Sequence, residues 1–201
     1  RVVNNIQTSA SLFLVKNIFS ILTTVFTLIA ANLYPLYPTQ LSLLGAFTIG
    51  TPAFVLALQP NKELIRGDFL VNVILKALPA GLADFIMLAA ISIHGNILGM
   101  SNEQISTVAI VILLFIGLAA LVRICRPFDG IRILLCLAMA AGIVICVLNF
   151  KGIFAIATVN MIMLRMIIMY ALIAGVLFCI MCKSVGGWID YMERHSKRFR
   201  R

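Results

Sequence analysis

Ser9-Ala-Ser-Leu-Phe-Leu-Val-Lys-Asn-Ile-Phe-Ser-Ile-Leu-Thr-Thr-Val-Phe-Thr-Leu-Ile-Ala-Ala-Asn-Leu-Tyr34 decides the fold class. It is long enough to cross the hydrocarbon core of a bilayer, which takes roughly 20 apolar residues. Five further blocks of this kind follow: Thr39–Leu58, Phe69–Ile93, Ile105–Val122, Ile131–Leu148 and Val159–Cys182. None alternates with the period of two that a membrane β-barrel strand requires. Only helices satisfy their own backbone in lipid over such lengths. Of the 201 residues 62% are hydrophobic and 11% charged, and the mean hydropathy is +1.10, too apolar for a surface facing water. The expectation is an all-α integral membrane protein. Residues 1–201 form a single membrane domain, a six-transmembrane-helix bundle, and residues 183–201 form a basic cytoplasmic tail.

The chain opens Arg1-Val-Val-Asn-Asn-Ile6, with no initiator Met and no signal-peptide pattern. It reads as a segment of a longer polypeptide, entered where a helix already rises toward the membrane. The net charge of +9 is distributed unevenly. With the N-terminus in the cytoplasm, the loop cations from Arg1, Lys62 and Arg66 to Arg200 and Arg201 share the cytoplasmic face, and Lys151 faces the other side. That asymmetry sets orientation by the positive-inside rule and puts both termini in the cytoplasm. The tail His195–Arg201, after Trp188 and Tyr191, suits anionic lipid, so the basic charge is a bilayer signal with no nucleic acid implied.

The connections are short. Two prolines and two tyrosines make Tyr34–Pro38 a tight outer turn. Gln59–Glu63 and Arg123–Asp129 close spans on the inner side, and Gly95–Gln104 and Leu148–Thr158 on the outer. Cys136, Cys146, Cys179 and Cys182 lie in apolar spans as small packing residues. Cys179 and Cys182 have C-x-x-C spacing, but no second pair or histidine cluster completes a metal site. Cys125 lies at an inner helix end as a free thiol.

Ionisable residues inside a membrane are costly and therefore candidates for function. Lys76 is close enough to the cytoplasmic end of its span to snorkel. Lys16, Asp84 and Arg165 lie deeper. Asp84 and Arg165 differ in depth by only about 5 Å at 1.5 Å rise per residue, so a salt bridge between the third and sixth spans is geometrically open. A buried carboxylate needs a partner, and Lys16 competes for the role. Gly45-Ala-Phe-Thr-Ile-Gly-Thr-Pro-Ala53 is the sharpest irregularity. Pro52 cannot donate to the Thr48 carbonyl, and Gly50 loosens the turn before it. Two readings stay open: freed carbonyls and the Thr48 and Thr51 hydroxyls ligating a cation, or a proline kink patched by threonine hydroxyls.

With these residues in place, the whole chain resembles the C-terminal six-helix membrane half of a P-type cation-transporting ATPase. Arg1–Ile6 is similar to the family's stalk into its fifth membrane helix. Thr48-Ile-Gly-Thr-Pro-Ala53, followed by Gln59-Pro60, resembles the sixth helix, usually Thr-Asp-Gly-x-Pro-Ala followed by Asn-Pro. Ser11-Leu-Phe-Leu-Val-Lys16 and Ile49-Gly-Thr-Pro-Ala-Phe54 are similar to the bacterial "cation-transporting ATPase E" type. The resemblance implies a translocase of a bacterial plasma membrane. Aspartyl-phosphorylation elsewhere in the polypeptide would be coupled to cation movement, with calcium the ion its subgroup suggests. It implies ATP and Mg²⁺ for the parent protein, none bound by this segment. The implied partners are the lipid bilayer, the upstream cytoplasmic and membrane domains of the same polypeptide and the transported cation.

Carried over residue by residue, the resemblance puts Asn17 on a ligand asparagine and Ser20 where a glutamate is usual. Gly45, Thr48 and Ile49 fall where asparagine, threonine and aspartate are usual. Asn17 and Thr48 are thus the metal-ligand candidates, and Gly50, Thr51 and Pro52 complete the cation path. The usual carboxylates are missing, which argues against two full divalent sites. Lys16 is similar in position to a lysine in the fifth helix of gastric proton pumps, which implies a built-in counter-cation. The family's phosphorylated Asp-Lys-Thr-Gly does not occur, so this segment brings no catalytic residue of its own. The other classes open to the sequence are a secondary transporter or channel subunit, and a structural membrane-assembly protein locked by Lys16, Asp84 and Arg165, both without ATP coupling.

Overall fold

The computed structural model describes residues 2–30, 35–58, 69–126 and 128–198. Arg1, Tyr34, the Gln59–Glu63 connection with Lys62, Arg66 and the pair Arg200–Arg201 lie outside them. The elements are α1 (Val2–Ala30), α2 (Pro38–Gly45), a π-helical turn (Ala46–Gly50), α3 (Thr51–Leu58), α4 (Phe69–Ile97), α5 (Asn102–Ile124), α6 (Gly130–Asn149) and α7 (Met161–Arg198). The second apolar block is thus α2, the π turn and α3 end to end. Six helical stretches are long and apolar enough to cross a membrane: Ser9–Ile29, Pro38–Leu58, Leu70–Ile97, Asn102–Ile124, Gly130–Asn149 and Met161–Gly187. The protein is an all-α, six-span membrane bundle.

Local chemistry sets the helix ends. Pro38 opens α2 at a position that needs no N–H. The third span runs past Ile93 to Ile97, because His94 and Asn96 continue the helix. It stops where Gly99 takes a left-handed φ of 66°. There Gly99 N donates to Asn96 O at 3.1 Å and Met100 N to Gly95 O at 3.0 Å, the paired bonds of a Schellman cap. Two residues on, Ser101 and Gln104 exchange side-chain and backbone bonds in a capping box that starts α5.

The bundle is built around α5. Along its 23 residues, 72% of the apolar window is buried, against 22% for α1 and 17% for α6. Val108, Ala109, Ile110, Ile112, Leu113 and Ile116 are fully enclosed. α4 packs along both α1 and α5, and α7 packs on α4 and α5. Lipid is as apolar as leucine, so helix association here rests on close packing and interhelical hydrogen bonds. Small residues supply the closeness. A Cβ on Gly81 of α4 would sit 2.9 Å from the Ile18 side chain and 3.1 Å from the Val15 carbonyl of α1. A Cβ on Gly117 of α5 would run into Thr48, and one on Gly142 of α6 into the Phe47 ring. The π turn is therefore held on two sides.

Candidate intramembrane cation site

The irregular second span is continuous. Pro52 has no N–H for the Thr48 carbonyl, and the chain absorbs the gap by widening one turn: Thr51 N donates to Ala46 O, five residues back. Thr48 is 4% exposed and donates its hydroxyl to the Leu44 carbonyl at 2.6 Å. The threonine patch on a proline irregularity is thus present, at a π turn rather than a break. The hydroxyl oxygen keeps lone pairs for a further partner. Ser9 Oγ, donating to Ala53 O at 3.0 Å, ties α1 to the start of α3.

Beside Thr48 lies a small cavity of about 20 Å³, room for one water-sized guest. Its wall combines Leu12, Val15, Lys16 and Phe19 of α1 with Leu44 and Gly45 of α2, Thr48 and Ile49 of the π turn, Asp84 of α4, and Gly117 of α5. Five helical elements of four spans converge on it. Asp84 is 3% exposed, and its Oδ1 has no hydrogen-bond partner among the described residues. Lys16 is exposed on the open side of the same cavity. No ion pair joins Lys16 and Asp84 among the described residues. Thr23, about two turns further along α1 than Lys16, is fully buried with an unpartnered hydroxyl.

The other candidate residues fall elsewhere. Asn17 is exposed and does not line the cavity, and Gly50 and Thr51 are exposed as well. Pro52 is buried. The structure therefore brings Lys16, Thr48 and Asp84 together and leaves Asn17 on a different face of α1. Arg165 does not clasp Asp84. On α7 the buried face carries Met163, Met166, Tyr170 and Ala174, and the helical period turns Arg165 outward, where it is exposed. The polar link between α4 and α7 is instead His94 Nδ1 to the Tyr170 hydroxyl, 3.1 Å, with that hydroxyl donating to Ala90 O at 3.2 Å. A histidine at the end of an apolar run and a tyrosine in mid-span were the signals for this pair.

A second link joins α5 to α7 through Arg123, whose Nη1 donates to Cys182 Sγ at 2.9 Å. A third polar group joins the start of α2, the first turns of α5 and the loop at Ala155. Gln40, fully buried, accepts from Tyr37 N and donates to Ser106 Oγ at 3.2 Å and Ala155 O at 3.0 Å. Thr107 Oγ1 accepts from Ala157 N at 2.8 Å. Cys125 is free and fully buried. Burial, with Cys136 beside it, pushes its thiol pKa up to about 12.

A six-span helical bundle with an aspartate and a lysine in the wall of one intramembrane cavity belongs to the class of polytopic membrane proteins with a polar interior. Comparison with known proteins narrows this. No protein-family profile matches the chain. It is 33% identical over 150 residues to the probable cation-transporting ATPase exp7 of Streptococcus pneumoniae serotype 4, covering 71% of this chain and 19% of that protein. It is 35% identical over 159 residues to the calcium-transporting ATPase CtpE of Mycobacterium bovis, covering 72% of this chain and 20% of the relative. CtpE of Mycobacterium tuberculosis is 34% identical over a stretch of the same length and coverage. The chain belongs to the P-type cation-transporting ATPase family and corresponds to a membrane-helix part of it. It spans about a fifth of the length of the curated relatives it matches.

Proposed function

We propose that this segment forms part of the transmembrane ion pathway of an ATP-driven cation pump in a plasma membrane. Phosphorylation of an aspartate elsewhere in the polypeptide, with ATP and Mg²⁺, drives it. The single observation that carries this reading is the convergence of Lys16, Thr48 and Asp84 on one cavity beside a π turn in mid-span. π turns are rare and concentrate at functional sites. An unpaired buried carboxylate is too costly to be kept for packing alone. Thr48 offers a hydroxyl oxygen. Asn17, Gly50 and Thr51 line the approach from the exposed faces of α1 and of the π-turn segment, where further helices of the parent protein would cover them, and the buried Pro52 shapes the turn behind them. Lys16 is the built-in counter-cation and limits how many ions the site takes.

The mechanical element is α1. It is unbroken from Val2 through Asn17 to Ala30, so a tilt imposed at Val2 is carried to Lys16. The termini face the cytoplasm, where the loop cations concentrate. The basic tail His195–Arg201 meets anionic lipid at the cytoplasmic surface. Calcium is the proposed cargo, by similarity to the CtpE proteins named for it.

The test uses membranes expressing the full-length gene product. They are exposed to γ-labelled ATP and quenched in acid. The expected result is a hydroxylamine-sensitive phosphate on the polypeptide bearing this segment, its level changing with calcium. An unlabelled polypeptide that still moves cations would transfer the segment to a secondary transporter.

A further inference from the structure

We infer that Asp84 of α4 is the fixed anion of the cation site, and that a small metal cation binds it in competition with the Lys16 ammonium. This deepens the proposed function and rests on it. The two spans that carry Asn17 and Thr48 contain no carboxylate: α1, α2, the π turn and α3 hold neither aspartate nor glutamate. A cation in their cavity would find hydroxyl and carbonyl oxygens only. Asp84 supplies the missing charge from a third span.

Three observations carry this beyond a packing role. First, Asp84 is 3% exposed and lines the cavity, yet its Oδ1 is unbonded. A structural aspartate at such depth would have its oxygens satisfied. Second, the remaining space of about 20 Å³ holds one small guest and no more. Third, the two charges differ in freedom. Asp84 has a short side chain on a helix locked to α1 at Gly81, where even a methyl group would collide with Ile18. Lys16 has a flexible four-carbon stem and an exposed position. The carboxylate is fixed, and the ammonium is free to swing toward it or away.

A monovalent cation at Asp84 balances its charge, and a divalent cation leaves one positive charge in excess. In either case Lys16 competes with cargo for one carboxylate. The two residues therefore have opposite effects on cation affinity, which a structural salt bridge cannot produce.

The experiment measures ATP hydrolysis by the full-length protein in proteoliposomes, titrated with Ca²⁺ and separately with Na⁺ and K⁺. Asp84→Asn is expected to raise the half-saturating concentration of the stimulating cation by about tenfold or more, since one charged ligand is removed. Lys16→Gln is expected to lower it. Asp84→Glu, which keeps the charge, is expected to stay closer to the wild type than Asp84→Asn. The Lys16→Gln/Asp84→Asn double variant is expected to remain weak. If both single variants shift affinity the same way and the double variant restores it, the pair is structural and the inference is overturned. If Asp84→Asn fails to fold, Lys16→Gln decides alone: unchanged or weakened affinity overturns the inference. A wild-type protein stimulated by none of these cations would overturn the pump reading and this inference together.

Discussion

Two polar regions of this bundle obey opposite rules. Where the starts of α2 and α5 meet the loop at Ala155, the polar groups that join the elements are satisfied. Gln40 bridges Tyr37, Ser106 and Ala155, and Thr107 holds Ala157. Around Lys16 and Asp84, in mid-span, they are not: Asp84 Oδ1 and Thr23 Oγ1 are buried without partners, and Lys16 is open. The fully buried amide costs little because each bond is made within the protein. The carboxylate gains nothing comparable from its surroundings. The difference separates a scaffold, where polarity fastens helices, from a site, where polarity is kept ready for a guest.

That comparison can be broken by substitutions whose effects differ in kind. Gln40→Leu strands the donors and acceptors of three elements, and a loss of about 1–3 kcal/mol of stability is expected. The half-saturating cation concentration should stay unchanged. Thermal unfolding in detergent beside a cation titration checks both, and a shift in cation affinity without lost stability would merge the two regions.

Gly117→Val sharpens the boundary, since its new side chain enters the space of Thr48. Overpacking here is expected to cost about 1–3 kcal/mol and, unlike Gln40→Leu, to weaken cation stimulation as well. Tyr170→Phe removes the His94 and Ala90 bonds at the α4–α7 contact. About 0.6 kcal/mol is expected, the average for such bonds between membrane helices, with transport unaffected.

The smallest effect concerns Cys125. With its thiol pushed up to about 12, only about one molecule in ten thousand carries the thiolate at pH 8. Labelling of the folded protein by a maleimide should leave Cys125 unmodified by mass spectrometry. Rapid modification at neutral pH would show that the α5–α6 junction opens.

Much of this was legible in the sequence, and the parts that were not have physical causes. Six apolar blocks define six spans because bilayer thickness imposes a length that composition reveals directly. Gly45–Ala53 announced its irregularity through Pro52, but not its form. A missing N–H can be absorbed by a kink, an unwound turn or a π turn, and packing of Phe47 and Thr48 on Gly142 and Gly117 decides among them. Asp84 and Arg165 share neither depth nor face: the Tyr170 contact with His94 and Ala90 sets α7 against α4 so that Asp84 lies inward of it and Arg165 outward. Counting residues gives depth only when the helix ends are known, and facing depends on how α7 rotates its methionines into the bundle. The joint placement of Lys16, Thr48 and Asp84 was only half visible: a contest of Lys16 for Asp84 could be read from charge, but not the cavity between them. The Gln40 network was invisible, because a glutamine at the outer end of a span looks like any interfacial residue until Ala155 is folded against it.

The most direct test of the central claim, that water and cations reach the Lys16–Thr48–Asp84 cavity and not the α5 core, is cysteine accessibility in the full-length protein. Gly45→Cys and Ala109→Cys are compared after the native cysteines of this segment have been replaced. Gly45 lines the cavity and has room for a Cβ, while Ala109 is fully enclosed. The account predicts that a small water-soluble thiol reagent modifies Gly45→Cys, that the transported cation slows this modification, and that Ala109→Cys stays unmodified. Equal protection of both positions, or modification of Gly45→Cys indifferent to every cation, would contradict it.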